Sequence, residues 1–264
     1  MCATCGCSDD AGVRVTDPSA THSREHPHDH PHDHSHAPDR TVLLEQKVLA
    51  RNDDLAERNR TWLTARDILA VNLMSSPGSG KTTLLERSIR ELGADVPLSV
   101  VEGDQETMFD AERIRATGAR VVQVNTGAGC HLDADMLARA LATLDPPRCS
   151  VVFIENVGNL VCPALFDLGE SSRVVIMSVT EGADKPLKYP HMFRTADVVL
   201  LNKMDLLPYV EFSMERFASS VNQVNPRARV IEVSATRGDG IPEWYGWLRS
   251  RAGDRVVSAS ESRP

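Results

Sequence analysis

A glycine-rich segment that follows an apolar run is the first place where residue types and spacing indicate chemistry. It reads Ser-Ser-Pro-Gly-Ser-Gly-Lys-Thr-Thr over residues 75–83. Glycines let backbone N–H groups turn inward around phosphates, and a helix N-terminus beyond them adds its dipole. Lys81 would reach the β- and γ-phosphates and the Thr82 hydroxyl would coordinate Mg²⁺. The segment therefore predicts a nucleotide phosphate site made by Gly78, Ser79, Gly80, Lys81, Thr82 and Thr83.

Two details of this segment bear on the prediction. Ser75 stands where the usual pattern has its first glycine, although Gly78 and Gly80 keep the loop flexible. We also expect Lys81 to lie in a solvent-facing loop. The alternative interpretation is a glycine-rich turn that binds no ligand.

A second motif, Asn202-Lys203-Met204-Asp205, ends an apolar run and selects the base. The Asp205 carboxylate can accept hydrogen bonds from guanine N1–H and the 2-amino group, which adenine does not offer in that geometry. The Lys203 stem can cover the base. Downstream, Ser234-Ala235 follows another apolar run and can place a backbone N–H at guanine O6. These motifs together predict GTP as the nucleotide.

Acidic residues at the ends of two apolar runs are candidates for hydrolysis. Glu155 and Gly158 stand where a GTPase usually has Asp-x-x-Gly, so Glu155 would hold Mg²⁺ through water and the Gly158 N–H would lie near the γ-phosphate. Asp104 is a second candidate for Mg²⁺ or for orienting the attacking water. With Lys81, these residues form the predicted catalytic set. A surface carboxylate with no role is the alternative for Asp104.

Three cysteines crowd the beginning of the sequence in the pattern Cys2-x-x-Cys5-Gly-Cys7. Thiolates at this spacing chelate borderline or soft cations. If Met1 is removed, the Cys2 amine becomes a fourth donor, and square-planar coordination of Ni²⁺ becomes feasible. A redox Cys-x-x-Cys is the competing interpretation, although the usual strand–helix context of that motif is missing.

A histidine tract follows, with an imidazole at every second residue among prolines and aspartates. Neutral imidazole binds Ni²⁺, Zn²⁺ or Cu²⁺, so the tract is typical of a buffer for several ions. An inert, low-complexity tail is the alternative. The histidines are His26, His28, His30, His32, His34 and His36.

A third metal candidate lies in the body of the chain. Cys130-His131 follows one predicted strand and Cys162 follows another. Because parallel strands end at the same edge of a sheet, the two loops are candidates to meet beside the nucleotide. Each cysteine taken alone is equally consistent with a small buried apolar residue. Cys149, which precedes a strand, is interpreted as structural.

Apolar runs alternate with amphipathic runs along most of the chain, which predicts an α/β fold with a mostly parallel sheet flanked by helices. The predicted strands are 69–76, 97–104, 119–125, 150–158, 173–179, 197–203 and 229–235. The predicted helices are one long or two short helices over 41–68, then 82–92, 107–117, 133–144, 211–222 and 241–251. This predicts a P-loop NTPase-type domain over 41–252, a flexible metal-binding tail over 1–40 and a C-terminal tail over 253–264.

Composition limits the partners of the chain. The 264 residues carry a net charge of −8, which does not favour nucleic-acid binding. No apolar run is long enough to span a membrane, and the first residues, MCATCGCSDDAG, lack the basic and apolar parts of a secretory signal. We therefore expect a cytoplasmic protein whose cysteines are reduced.

Taken together, these motifs resemble the HypB family of hydrogenase nickel-incorporation GTPases. The matching segments are CATCGC, the histidine-rich tail, SSPGSGKTTLLE, VEGDQET, NTGAGCHLDA, ENVGNLVCPA, EGADKPLKYP and LNKMDLLP. The resemblance covers residues 1–8 and 70–210 most specifically.

Membership of this family would imply the function. Cys2, Cys5 and Cys7 would be a tight nickel site, and Cys130, His131 and Cys162 a second site for Ni²⁺ or Zn²⁺ at a homodimer interface. The chain would hydrolyse GTP with Mg²⁺. It would deliver nickel to the [NiFe]-hydrogenase large subunit together with the nickel chaperone HypA.

Three other functions remain open at this stage. A GTPase for another nickel enzyme, of the urease type, shares the nucleotide domain, although CATCGC and the CHLDA/LVCPA pair favour the hydrogenase branch. A nickel storage protein would use the nucleotide domain only for regulation. A signalling GTPase with incidental cysteines would need nucleotide binding that is independent of metal, and a protein effector.

Overall fold

A computed structural model of the chain describes residues 40–104, 109–127 and 129–253, with side chains from residue 47 onward. The chain divides into two compact units, 1–50 and 51–264. The described part of the first unit is helical from residue 40. The predicted N-terminal metal site and histidine tract, and nearly all of the predicted C-terminal tail, lie outside the described residues.

One sheet organises the second unit. Its seven strands are β1 (Leu69–Ser75), β2 (Leu98–Asp104), β3 (Arg120–Asn125), β4 (Val151–Glu155), β5 (Ser172–Ser178), β6 (Val198–Asn202) and β7 (Arg229–Glu232). The strand order is β3-β2-β4-β1-β5-β6-β7, and all six pairings are parallel. The expected mostly parallel sheet is therefore confirmed, and within the described residues it is parallel throughout.

Eight α-helices accompany the strands in the described part of the chain. They are α1 (Arg40–Ala65), α2 (Lys81–Leu92), α3 (Phe109–Arg115), α4 (Ala134–Leu144), α5 (Lys185–Lys188), α6 (Pro190–Arg194), α7 (Met214–Val224) and α8 (Ile241–Ala252). Two 3-10 helices occupy Cys162–Ala164 and Met204–Tyr209. No helix within the described residues has the length and hydropathy of a membrane span.

The short helices were not expected from the sequence. Four short elements, α5, α6 and the two 3-10 helices described above, are each six residues long or less. Such a length is too short for a helical repeat of apolar residues to be visible. Three of them carry proline in the first turn. The long first helix ends three residues before the predicted boundary. A turn through Asp67, whose φ is +56°, separates it from β1.

The core explains why the strand sequences are continuously apolar. Alternate residues of the central strands enter opposite layers: Val71 and Phe153 pack against α2 and α8, whereas Ala70 and Val152 pack against α1 and α4. A third cluster joins β5 and β6 to α6 and α7. Each large side chain fully buried in these layers contributes about 1.5–3 kcal/mol. The rigid sheet that results fixes the strand ends, from which the candidate sites are built.

Candidate functional site

The glycine-rich segment runs from the end of β1 into the first turn of α2, as a phosphate-binding loop must. Gly78 and Gly80 have φ of +75° and +93°, a backbone conformation that glycine adopts without strain. A Cβ at Gly80 would come within 2.5 Å of the Asn202 side-chain nitrogen, so this position also needs glycine for space. Ser75, which stands where the usual pattern has its first glycine, is the last residue of β1 and is buried.

Lys81 and Thr82 both face Glu155 at the end of β4. The Thr82 hydroxyl donates to Glu155 Oε1 at 2.7 Å, and Lys81 Nζ lies 3.2 Å from the same oxygen. The lysine side chain is only 13% exposed, so the expectation of a solvent-facing lysine was wrong. The reason is that Lys81 begins α2 and turns inward to neutralise a carboxylate that is almost fully buried.

A cleft of about 570 Å³ opens over this cluster. Its walls include the whole glycine-rich segment with Asp104, Glu155, Gly158 and Lys203, so most of the phosphate-site candidates share one cavity. Gly158 stands directly against the segment, because a Cβ there would meet Pro77 at 3.3 Å. Asp104 ends β2 at the rim, where its carbonyl accepts from the Thr126 N–H at 2.9 Å.

Glu102 is a cleft residue that the sequence analysis missed. It lies on β2 two residues before Asp104 and is 2% exposed. Its pKa is raised to about 8, mainly by burial and then by the negative charges of Glu155 and Asp104, while Lys81 opposes the shift. The available signal was a glutamate inside an otherwise apolar strand. Arg113 of α3 also lines the cleft and was not predicted.

The carboxylates in this cleft suit a hard cation. Among the described residues, Glu102 Oε2 and Glu155 Oε2 are buried without a hydrogen-bond partner, which is costly for a buried polar oxygen. Carboxylate and hydroxyl oxygens are the ligands of Mg²⁺ in nucleotide sites. Thr82, Glu155 and Glu102 therefore fit a Mg²⁺ ion bound with a nucleotide phosphate.

The base motif is tied to the phosphate loop. Asn202 Nδ2 donates to the Ser79 carbonyl at 2.9 Å, and Lys203 Nζ donates to the Gly78 carbonyl at 2.7 Å. Lys203 itself has a φ of +63°, which turns the chain sharply at the end of β6. These two hydrogen bonds join Asn202 and Lys203 to Ser79 and Gly78, so the base and phosphate motifs form one continuous surface.

Asp205 is oriented by the second base segment. The Ser234 hydroxyl donates to Asp205 Oδ1 at 2.6 Å, which leaves Oδ2 available to a base edge. The Ala235 N–H, the donor expected at guanine O6, donates to Asn202 Oδ1 at 3.0 Å. The structure thus brings Asn202, Asp205, Ser234 and Ala235 into one hydrogen-bonded group.

The body cysteines and histidine also converge. The ligand atoms of Cys130, His131 and Cys162 all lie within 4.8 Å of one another, and Cys130 Sγ is 3.8 Å from His131 Nδ1. Metal–ligand bonds of about 2.0–2.3 Å would bring such atoms to roughly 3–4 Å apart. Soft sulfur and imidazole donors this close fit Ni²⁺ or Zn²⁺ after a small contraction. Cys149 lies apart from this group, at a turn with φ of +55°.

The surroundings of His131 favour metal binding. Its ring stacks on Phe166 with centroids 4.0 Å apart, which fixes the imidazole plane. Burial lowers the pKa of His131, although Asp133 opposes this shift. The imidazole is therefore neutral, and able to ligate a metal, at lower pH than an exposed histidine.

Asn156 connects the metal cluster with the nucleotide cleft. It is fully buried directly after Glu155, and its Oδ1 accepts from the N–H of Leu132, the residue after His131, at 3.1 Å. The same oxygen accepts from the Val157 N–H at 3.0 Å. The loop after β4 thus contacts both sites through consecutive residues.

Comparison with known proteins agrees with these sites. Residues 69–232, more than half of the chain, match the family model described as CobW/HypB/UreG, nucleotide-binding domain. The hydrogenase maturation factor HypB of Azotobacter vinelandii is 55% identical over 217 residues, which are 82% of this chain and 72% of that protein.

Two solved structures of HypB proteins share the fold. The crystal structure from Archaeoglobus fulgidus is 42% identical with a TM-score of 0.72, and the match covers 77% of this chain and all of that one. The Helicobacter pylori structure, which is in complex with nickel, is 35% identical with a TM-score of 0.72 and covers 76% and 95% of the two chains. The sheet with its phosphate loop, the base motif and these similarities establish that the chain belongs to the HypB family of hydrogenase maturation factors.

Proposed function

We propose that this chain is a GTP-hydrolysing nickel metallochaperone that assists nickel insertion into the large subunit of a [NiFe]-hydrogenase. One observation carries the proposal: a phosphate-loop cleft and a cluster of two cysteines and a histidine lie at the same edge of one sheet, joined through Asn156. A nucleotide cleft can function without a metal cluster, and a metal cluster can function without a nucleotide cleft. Their connection suits a protein in which nucleotide state and metal binding influence each other.

GTP is the proposed nucleotide because Asp205 is held with one oxygen bonded to Ser234 and the other available to a base. An adenine would cover that carboxylate without offering a donor to its second oxygen, which costs the hydrogen bonds to water that it gives up. Asn202 bonds to the phosphate loop and to Ala235, so the base segments are held rigidly against each other.

The proposed hydrolysis would use the residues at the floor of the cleft. Lys81 would place its charge beside the β- and γ-phosphates, and the Gly158 N–H would lie near the γ-phosphate. Bound Mg²⁺ would neutralise charge that develops on the phosphate oxygens. Thr82 and Glu155 would hold that ion, and Asp104 at the rim would orient the attacking water. Glu102 would join the acidic set once a cation lowers its pKa.

Nickel is the proposed cargo, with Cys130, His131 and Cys162 as its ligands in the nucleotide domain and with Zn²⁺ as a competing ion. The relative from Helicobacter pylori was solved in complex with nickel. Cys162 lies on the loop that begins at Glu155, so a shift of this loop between GTP and GDP would move the thiolate relative to the other two ligands. Metal bonds tolerate only about 0.2 Å, so such a shift would change affinity.

The remaining parts of the proposal concern partners and the N-terminal residues. We propose a homodimer that depends on nucleotide or metal, and transfer that involves the chaperone HypA and the hydrogenase large subunit. Cys2, Cys5 and Cys7 would bind nickel tightly, and the histidine tract would buffer it. The cytoplasm supplies both GTP and the reducing conditions that keep these thiols able to bind metal.

Complementation tests the function as a whole. The chain is expressed in an Escherichia coli strain that lacks its own HypB, and hydrogenase activity is measured at limiting nickel. We expect the wild-type chain to restore activity, and Lys81→Ala and a Cys2/Cys5/Cys7 triple serine variant to fail. Wild-type activity in both variants would contradict the proposal.

Two further measurements separate the alternatives. A urease-type function predicts that the chain restores a urease in a maturation-deficient host but does not restore the hydrogenase. A storage function predicts that replacing the tract histidines abolishes nickel accumulation, whereas hydrogenase activity at ample nickel persists even without GTP hydrolysis. A delivery function requires hydrolysis in the same assay.

A further inference from the structure

Two buried asparagines of α1 connect the two loops that carry the cluster of Cys130, His131 and Cys162. The first metal loop comprises residues 129–133, which precede α4, and the second metal loop comprises residues 156–171, between β4 and β5. Asn52 and Asn59 are 6% and 5% exposed. They are seven residues apart, two helical turns, so both face the same side of α1.

Each asparagine bonds both to Ala134, the first residue of α4 directly after the first metal loop, and to the second metal loop. Asn52 Oδ1 accepts from the Ala134 N–H at 2.9 Å, and its Nδ2 donates to the Asp167 carbonyl at 2.8 Å. Asn59 Nδ2 donates to the Ala134 carbonyl at 2.8 Å and to the Leu168 carbonyl at 3.0 Å. The backbone just after His131 is therefore tied to the second metal loop by two side-chain amides.

The helix also packs closely against the second metal loop at Gly169. Gly169 has a φ of +86°, and a Cβ there would clash with the Ala56 carbonyl, which lies on the same face of α1. Phe166, three residues earlier, stacks on His131. The second metal loop therefore contacts α1 through Gly169 and the His131 imidazole through Phe166.

We propose that Asn52 and Asn59 are positioning residues for the nickel ligands: by joining Ala134 to Asp167 and Leu168, they set the separation between the Cys130–His131 pair and Cys162. This inference rests on the proposed nickel site. The hydrogen bonds described for the two asparagines go to backbone atoms and to no ligand side chain. Their effect is transmitted through the two loop backbones, in the way that supporting hydrogen bonds orient metal ligands in other proteins.

The hydrogen bonds of Asn52 and Asn59 explain how the three ligand residues can lie near one another when no metal ion joins them. Ligand atoms that lie within 4.8 Å of one another need a small contraction to bind an ion. An anchor that holds both loops limits how far they separate when no metal is bound, so less of the binding free energy is spent on ordering them. Removing the anchor should weaken metal binding and broaden the coordination geometry.

The test uses the full-length chain in which Cys2, Cys5, Cys7 and all histidines before residue 40 are replaced by serine and asparagine, so that only the body site remains. Nickel chloride is titrated, and both the affinity and the thiolate-to-nickel charge-transfer absorption are recorded. We expect Asn59→Ala and Asn52→Ala to weaken nickel binding roughly 10- to 100-fold and to shift the absorption band. Asn52→Asp keeps the acceptor for the Ala134 N–H and loses the donor to Asp167, so it should weaken binding as well.

Two matched controls separate positioning from general stability. Asn225 is a buried asparagine whose Nδ2 donates to the carbonyls of Phe193, Arg194 and Ala196, away from the metal loops. Arg60 pairs with the Asp167 carboxylate and so binds α1 to the second loop without contacting Ala134. Asn225→Ala should lower the unfolding midpoint about as much as Asn59→Ala, and both controls should leave nickel affinity within about twofold of the parent.

Each outcome decides between the inference and the function on which it rests. Equal nickel affinity and absorption in the α1 variants and the parent, or equal losses in the α1 variants and Asn225→Ala, would overturn the positioning role alone. A parent chain that binds no nickel at the body site, or whose binding ignores Cys162→Ala, would overturn the proposed site and the inference with it. Weakening confined to the α1 variants supports the inference.

Discussion

The nucleotide cleft and the metal cluster lie at the same sheet edge but are organised differently. In the cleft, functional side chains already bond one another: Thr82 and Lys81 both contact Glu155 within 3.2 Å. In the cluster, Cys130 Sγ and His131 Nδ1 are 3.8 Å apart, and the ligands are held in place by residues behind them rather than by bonds to one another. A site for an abundant nucleotide can be rigid, whereas a site that must give up its ion benefits from ligands that close only around metal.

The two regions also differ in how their residues are encoded. The phosphate loop is one continuous segment whose strand, loop and helix fix its geometry locally. The cluster depends on two loops, brought together because β3 and β4 both neighbour β2 in the sheet. Changes that touch the cleft should therefore act sharply on nucleotide chemistry, and changes in the cluster should act more gradually on metal affinity.

The largest effect is expected at Lys81. Lys81→Ala removes the charge beside the phosphates and should slow GTP hydrolysis by about 100-fold or more. It also leaves buried Glu155 without its cation, so the unfolding midpoint should fall. Hydrolysis is measured as phosphate release, with Arg90→Ala, an exposed arginine on the same helix, as control. Equal rates for the two variants would contradict the cleft assignment.

Base selection should respond next. Asp205→Asn should weaken GTP binding about 100-fold and favour xanthosine triphosphate, whose 2-position is a carbonyl that the new amide can donate to. Competition against a fluorescent GDP analogue measures both nucleotides. The hydrogen bond from Ser234 can persist in this variant, so the fold should not change. Undiminished GTP affinity would show that the base binds elsewhere.

A moderate effect is expected at the metal cluster. Cys162→Ala should lower nickel affinity roughly 10- to 100-fold in the chain without tail ligands, because one of three soft donors is lost. Cys149→Ala is the matched control, since this cysteine lies outside the cluster. If GDP and a non-hydrolysable GTP analogue give different nickel affinities, Cys162→Ala should remove the difference. Identical affinities in every combination would argue against nucleotide coupling.

The smallest effect concerns the pH dependence of stability through Glu102. Its pKa is about 8 in the folded chain and about 4.5 when exposed. Between these values the folded state keeps a proton that the unfolded state has released, so stability falls as pH rises through this window. Glu102→Gln should remove this slope and raise the unfolding midpoint by roughly 2–4 °C near pH 8.5, with little change near pH 5.

Thermal unfolding without divalent ions measures the effect, and Glu112→Gln on the exposed side of α3 serves as control. Added Mg²⁺ with nucleotide should stabilise the parent more than the variant, since the ion would bind the ionised carboxylate. A parent chain whose midpoint is constant across this pH range would mean that Glu102 is ionised without cost.

The order and type of the main helices and strands could be predicted from the sequence, because strands buried on both faces consist of continuous runs of Val, Ile and Leu. The phosphate and base motifs were equally readable, since each is local. The family resemblance drawn from those motifs is confirmed by the matches over residues 69–232 and beyond.

The features that the sequence did not reveal depend on tertiary contacts. Nothing near Lys81 in the chain indicates that it turns toward a glutamate 74 residues away. Glu102 was passed over because Asp104, the later carboxylate of the same motif, had the more familiar position. Phe166 and Asn156 carry no motif, and their importance appears only when the loops after β3 and β4 are brought together.

The contact between Gly80 and Asn202 has a consequence for protein engineering. Because Asn202 fills the space that a Cβ at residue 80 would need and donates to the neighbouring Ser79 carbonyl, phosphate and base recognition share one piece of backbone. A bulkier residue at either position would disturb both ends of the nucleotide together. Redesign toward another base is therefore best begun at Asp205, which contacts neither phosphate-loop residue in these bonds, and nucleotide exchange rates should be most sensitive to the Gly80–Asn202 pair.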